Sequence, residues 1–262
     1  MLGAIIGDLA GSIYEFEQFN KVKKITIKNI IEKDSFYSDD TILTIAIADA
    51  IINKKDYGEM LKRYAIKYEN AIPKDIPYFK TMFSPSFTSW AKGNGQGTSI
   101  GNGAMMRISP VGFLFNNESE IIENVYLATS PSHNTKESID CATKVALIIF
   151  YARRGLSKKD IISKLNLEIK APNITKFNYS CIDTIDVCLY SLFNSNSFEE
   201  SIKKAISFGG DTDTNACIVG GMAEAMFGIS NELKQKALSK LPDEFKKILE
   251  KCYEQIKTTQ IH

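Results

Sequence analysis

Apolar residues along the chain recur mostly at spacings of three and four, the spacing that lines one face of a helix. "TILTIAIADAII" (41–52) is apolar on nearly every side, with Ile42, Ile45, Ala46 and Asp49 on neighbouring faces, and predicts a buried helix. "NTKESIDCATKVALIIFYARRG" (134–155) predicts a helix of about five turns, basic at its end and stopped by Gly155. "SKKDIISKLN" opens on Ser157 with Asp160 three later. "SFEESIKKAISFGG" opens on Ser197 with Glu200 three later, so both have capped starts. The tail "NELKQKALSKLPDEFKKILEKCYEQI" predicts two short amphipathic helices broken at Pro242.

Small residues mark two further segments. Gly3, Gly7 and Gly11 recur every four residues and give one smooth helical face for close packing. In "DTNACIVGGMAEAMFG", Ala216, Gly220, Gly221 and Ala223 include two poor helix formers, a cost that a closely approaching neighbour offsets. The expected neighbour is the helix that follows "YSDDT". Strand signals are thin: "KVKKITIKNI" alternates weakly and is open between a loop and a short ribbon. Residues 93–103, "GNGQGTSIGNG", hold five of the 16 glycines and must lie flat against something or take positive φ repeatedly. The reading is one all-α domain over 1–262, without internal repeats or a low-complexity linker.

Composition narrows the function classes. Hydrophobic content of 44% and charged content of 24% are those of a soluble globular protein. With 32 basic and 31 acidic residues, the net charge of +1 gives no electrostatic case for nucleic acid or a membrane surface. Five cysteines, odd in number and without a C-x-x-C pair, argue against a disulfide framework and suit the cytoplasm. The N-terminus lacks a basic leader region, Asp8 interrupts its apolar run, and "VALIIFYA" is too short to cross a bilayer. A cytoplasmic enzyme or binding protein is expected.

The candidate chemistry lies at helix starts. In "YSDDT", Ser38 is a natural N-cap and Asp39 and Asp40 occupy the first turn. "GDTDT" (210–214) repeats the device with Asp211, Asp213 and Thr214. Each alone reads as capping. Together, two acid-bearing starts ahead of two apolar helices would bury like charges, which a divalent cation neutralises. An all-oxygen set selects Mg²⁺ or Mn²⁺ over Zn²⁺, and four carboxylates suit two adjacent ions. Asp8 and Glu15, seven apart, would project from a similar side of a helix, either as a third acidic element or as a solvated face. The glycine loop is neither a Walker A loop nor a Rossmann fingerprint, and reads as a phosphate cradle or as a surface turn. Trp90 reads as packing. Of two histidines, His262 is terminal and expected to fray. His133 sits at a helix entry as a cap or a satisfied core group, with nothing nearby to make a zinc site.

"GDLAGSIYE", "YSDDT", "GTSIGNGAMMRISP", "SHNT" and "GGDTDT", in that order, resemble the signature segments of the ADP-ribosylglycohydrolases over residues 1 to 228. The resemblance implies a compact all-α fold with two Mg²⁺ or Mn²⁺ ions at the bottom of a cleft. It implies Ser38, Asp39, Asp40, Asp211, Asp213 and Thr214 as ligands, with Asp213 bridging. It implies Ser99, Gly101, Asn102 and Gly103 as the loop holding diphosphate and distal ribose, and His133 as a cleft residue. It also implies Glu15 or Asp40 as the carboxylate that moves protons. The small departure is Ser38, where many members carry threonine. The implied activity is hydrolysis at C1 of the distal ribose of an ADP-ribosylated protein or small molecule, by a monomer that meets nucleic acid only as an ADP-ribosylated substrate. The alternatives are a metal-dependent nucleotide or phosphoester hydrolase and a non-catalytic ADP-ribose-binding or crystallin-like protein.

Overall fold

Side-chain oxygens set where helices begin. In this computed structural model, which describes residues 1–72 and 81–259, Ser38, Asp56, Thr135, Ser157, Ser180 and Ser197 each accept a backbone N–H from two or three residues on. The chain begins with α1 (Leu2–Gly11), α2 (Asp39–Ile52), α3 (Tyr57–Tyr68) and α4 (Pro85–Ala91). The glycine loop leads into α5 (Gly103–Met106), α6 (Ser109–Leu114), α7 (Glu118–His133), α8 (Lys136–Arg153) and α9 (Lys158–Lys164). Then come α10 (Cys181–Phe193), α11 (Phe198–Ser207), α12 (Thr212–Phe227), α13 (Asn231–Leu238) and α14 (Asp243–Thr259). The fold is all-α. Among the described residues there is no strand, only isolated bridges from Thr98 to His133 and from Gly101 to Ser180. "KVKKITIKNI" is irregular chain, and His262 lies outside the described residues.

α1 and α12 form the central pair. Every residue of α1 is buried, and its glycine row meets the small residues of α12 backbone to backbone. A Cβ on Gly7 would stand 1.9 Å from the Ala216 carbonyl oxygen, and one on Gly3 would stand 2.2 Å from that of Gly220. The small residues of α12 therefore serve α1, not α2 as the sequence reading expected. α2 presents branched Ile and Leu side chains, which hold a neighbour away, and it reaches α12 through Asp40 and Thr214. α8 covers another side of α12, and α6 packs between α8 and α2.

Two other expectations change. α14 runs for 17 residues, not as a short helix, because Phe245, Leu249 and Cys252 keep one face buried along it. α1 stops at Gly11, so Asp8 and Glu15 do not share a helix. Asp8 is fully buried inside α1, and Glu15 lies on the turn beyond it.

Candidate metal centre and its cleft

Three chain segments converge at the site. Asp8 of α1 accepts hydrogen bonds from the Ser38 backbone N–H at 2.9 Å, the Ser38 hydroxyl at 2.8 Å, the Thr41 N–H at 3.1 Å and the Thr41 hydroxyl. These bonds fasten the start of α2 to α1. Ser38 Oγ also accepts the Asp40 N–H and lies 3.3 Å from Asp40 Oδ2. Thr214, in the first turn of α12, donates its hydroxyl to the same Asp40 oxygen at 3.2 Å.

The start of α12 is shaped by its approach. Gly209 and Gly210 both take positive φ, near 75°, and a Cβ on Gly210 would stand 2.1 Å from Asn178 Oδ1. That closeness lets the Asp211 N–H donate to Asn178 Oδ1 at 2.9 Å. Asp211 occupies the N-cap position but makes no side-chain cap. Its carboxylate instead receives the Asn102 amide at 2.7 Å. The remaining Asn102 donor bonds reach Asn178 O and Thr184 Oγ1, so this side chain ties the glycine loop to α12.

Ser38, Asp39, Asp40, Asp211, Asp213, Thr214, Glu15, Ser99, Gly101, Asn102, Gly103 and His133 all line one cleft of about 1360 Å³. Phe16, Phe19, Phe177 and Tyr179 line it too, with Phe19 stacked on Phe177 at 4.4 Å between centroids. Trp90 is buried against Phe87 in the wall, which agrees with a packing role. His133 is the last residue of α7, not a helix entry. Thr135 caps the next helix instead.

Carboxylate oxygens of Asp8, Asp40 and Asp213 lie within 4.8 Å of one another, and so do those of Glu15, Asp211 and Asp213. In the protein alone, burial and then the charge of Asp213 push the Asp8 carboxyl up to about 7 and that of Asp39 up to about 8. Burial first, then neighbouring carboxylates, holds Glu15, Asp40 and Asp213 well above the carboxylate range. Burial also raises Asp211. Asp40 Oδ1 is buried without a hydrogen-bond partner. A buried, mutually repelling, all-oxygen donor set with an orphaned carboxylate oxygen fits hard divalent cations.

Three contributors were not singled out as site residues from the sequence. Asp8 enters the sequence reading only beside Glu15, as part of an acidic element or a solvated face. Arg107, fully buried behind His133, is a lone charge in the apolar run "GAMMRISPVG", which is a readable signal. Asn178, in an irregular segment, carries no local signal at all.

The fold and this cleft define an all-helical protein with an acidic floor under a glycine loop, and comparison with known proteins gives its family. A family model described as ADP-ribosylglycohydrolase matches residues 1–261. The chain is 22% identical over 262 residues to ADP-ribosylarginine hydrolase Tri1 of Pseudomonas putida, covering 88% of this chain and 70% of that protein. It is 24% identical over 310 residues to ADP-ribosylhydrolase ARH3 of Danio rerio, covering 88% and 82%. A solved structure, an ADP-ribosylglycohydrolase-related protein complex, shares the fold with a TM-score of 0.72 at 17% identity, over 97% of both chains. The chain belongs to the ADP-ribosylglycohydrolase family. No helix among the described residues is long and apolar enough to cross a membrane.

Proposed function

We propose that the protein, a single domain over 1–262, hydrolyses the bond between C1 of the distal ribose of an ADP-ribosyl group and its acceptor. The observation that carries this reading is the meeting of two acid-bearing helix starts and Glu15 on the floor of a cleft walled by the glycine loop. Ser38, Asp39, Asp40, Asp211, Asp213 and Thr214 would hold two Mg²⁺ or Mn²⁺ ions, with Asp213 between them because it belongs to both oxygen clusters. Bound there, the cations neutralise the carboxylates and polarise hydroxyl and water oxygens.

The chain's own residues do the rest. Ser99, Gly101 and Gly103 bring backbone close to the diphosphate and distal ribose, and Asn102 holds Asp211 in place. Cleavage passes through an oxocarbenium-like state. Glu15, on the turn beyond α1, or Asp40, whose Oδ1 carries no hydrogen bond, would take the proton of the attacking water at a carboxylate oxygen and pass it to the departing acceptor. Arginine is the acceptor to try first, supported by the name of the Pseudomonas putida relative and by Glu15 and Glu17, whose carboxylates suit a guanidinium. A reducing compartment is consistent with five free, buried cysteines.

The test is a panel of ADP-ribosylated arginine, serine and nucleotide substrates, each with and without Mg²⁺ or Mn²⁺. Free ADP-ribose released only with metal supports the reading. AMP plus ribose phosphate would replace it with a phosphohydrolase, and tight ADP-ribose binding without turnover with a binding protein.

A further inference from the structure

Beside the glycine loop, three polar side chains that the metal site does not use meet in the wall of the cleft. Ser132 and His133 end α7, and Arg107 follows α5. Arg107 is fully buried, and its Nη2 donates to Ser132 Oγ at 2.6 Å and to Ala128 O at 3.3 Å, with His133 Nδ1 at 3.5 Å. Ser132 Oγ lies 2.8 Å from the same His133 Nδ1.

The direction of these bonds follows from what each group is able to do. A guanidinium only donates, and Arg107 Nη2 faces both Ser132 Oγ and His133 Nδ1, so an Nδ1–H would meet a donor; Ser132 Oγ accepts from Arg107 and is placed to turn its own hydrogen to Nδ1. Nδ1 therefore accepts, and the ring proton sits on Nε2. Burial, reinforced by the charge of Arg107, holds the ring's pKa well below its ordinary value, so it carries one proton only. Nε2 has no hydrogen-bond partner among the described residues, and His133 lines the cleft. Nε2 lies 3.3 Å from where a Cβ on Gly103 would stand and 3.6 Å from where one on Gly101 would stand. Glycine at both positions leaves the Nε2 face uncovered.

We propose that Ser132 and Arg107 are positioning residues that fix His133 as its Nε2–H tautomer, so that the ring offers one directed N–H donor to an anionic oxygen of the substrate. The opposite tautomer would turn a lone pair toward that oxygen and repel it. Naming the anion as the diphosphate of ADP-ribose rests on the functional reading above.

The test uses ¹⁵N-histidine-labelled protein with Mg²⁺. The chain's two histidines are separated by the variant His262→Gln. NMR should show a protonated Nε2 and an acceptor-type Nδ1 in His133, unchanged down to about pH 6, where a free imidazole is already largely charged. Ser132→Ala should populate the other tautomer and weaken calorimetric ADP-ribose affinity on the order of tenfold. Ser132→Thr, which keeps the hydroxyl, should restore both. An Nδ1–H ring or an imidazolium in the wild type at neutral pH overturns the proposal. So does a Ser132→Ala protein with tautomer and affinity unchanged. Should Ser132→Ala fail to fold, the wild-type spectra decide alone. An Nε2–H ring in a protein that does not bind ADP-ribose removes the ADP-ribosyl reading and leaves the tautomer assignment standing.

Discussion

Asp213 stands in both oxygen clusters, and its neutral isostere separates two effects that are usually entangled. Asp213→Asn should lower metal-dependent ADP-ribose release by ~100-fold or more, at or beyond the upper end of what loss of a supporting residue costs a metal site. The same change removes a buried like charge, so the melting midpoint in chelator should rise by ~2–4 °C for each kcal/mol of repulsion relieved. Full activity would remove Asp213 from the centre. The carboxyls also set a pH dependence. Asp8 and Asp39 hold protons in the folded protein, up to about 7 and about 8, that the unfolded chain has already released. Their contribution is complete below the unfolded value near pH 4 and is lost as pH rises through those folded values. Chelated protein should therefore melt at progressively lower temperature between about pH 5 and pH 8, and Mg²⁺ or Mn²⁺ at pH 8 should restore it. A flat profile in chelator would contradict the burial of these charges. At this scale the acid-bearing caps were legible, since Ser38 and its neighbours are contiguous in sequence. Asn178 was not, because its bonds to Asp211, Thr184 and Asn215 depend on where a loop falls.

Among elements, the glycine row of α1 decides the architecture. Its period of four was legible, but its partner was not, since any small-residue face is a candidate until the packing is known. Gly7→Ala would place a methyl 1.9 Å from a backbone oxygen that has no rotamer with which to move away. It should cost at least ~3 kcal/mol in urea unfolding, or prevent folding. Gly155→Ala is the matched control. Its φ of +82° is strained for alanine, but nothing lies within 4 Å of the added Cβ. It should cost ~1–2 kcal/mol and leave ADP-ribose release unchanged. Equal losses in the two variants would mean that backbone conformation, and not helix approach, governs α1.

For the whole molecule, the cleft can be read through the single Trp90, which sits in its wall. ADP-ribose should change tryptophan emission saturably. At about one hundred times Kd it should stabilise the protein by ~2.7 kcal/mol, or ~5–10 °C in the melting midpoint. Emission that ADP-ribose leaves unaltered would place the ligand away from this wall. The sequence by itself determined the helices α2, α8, α9, α11 and α12 and which of them begin in carboxylates, because periodicity and capping are written within a few neighbouring residues; α3, α7 and α10 were not read from it. Only the tertiary structure decided that these starts share one floor. The Asp8–Ser38, Asn102–Asp211 and Asp40–Thr214 contacts span 30, 109 and 174 residues. Contacts of that separation exist only once α1 and α12 have closed on each other, and no local pattern encodes that closure.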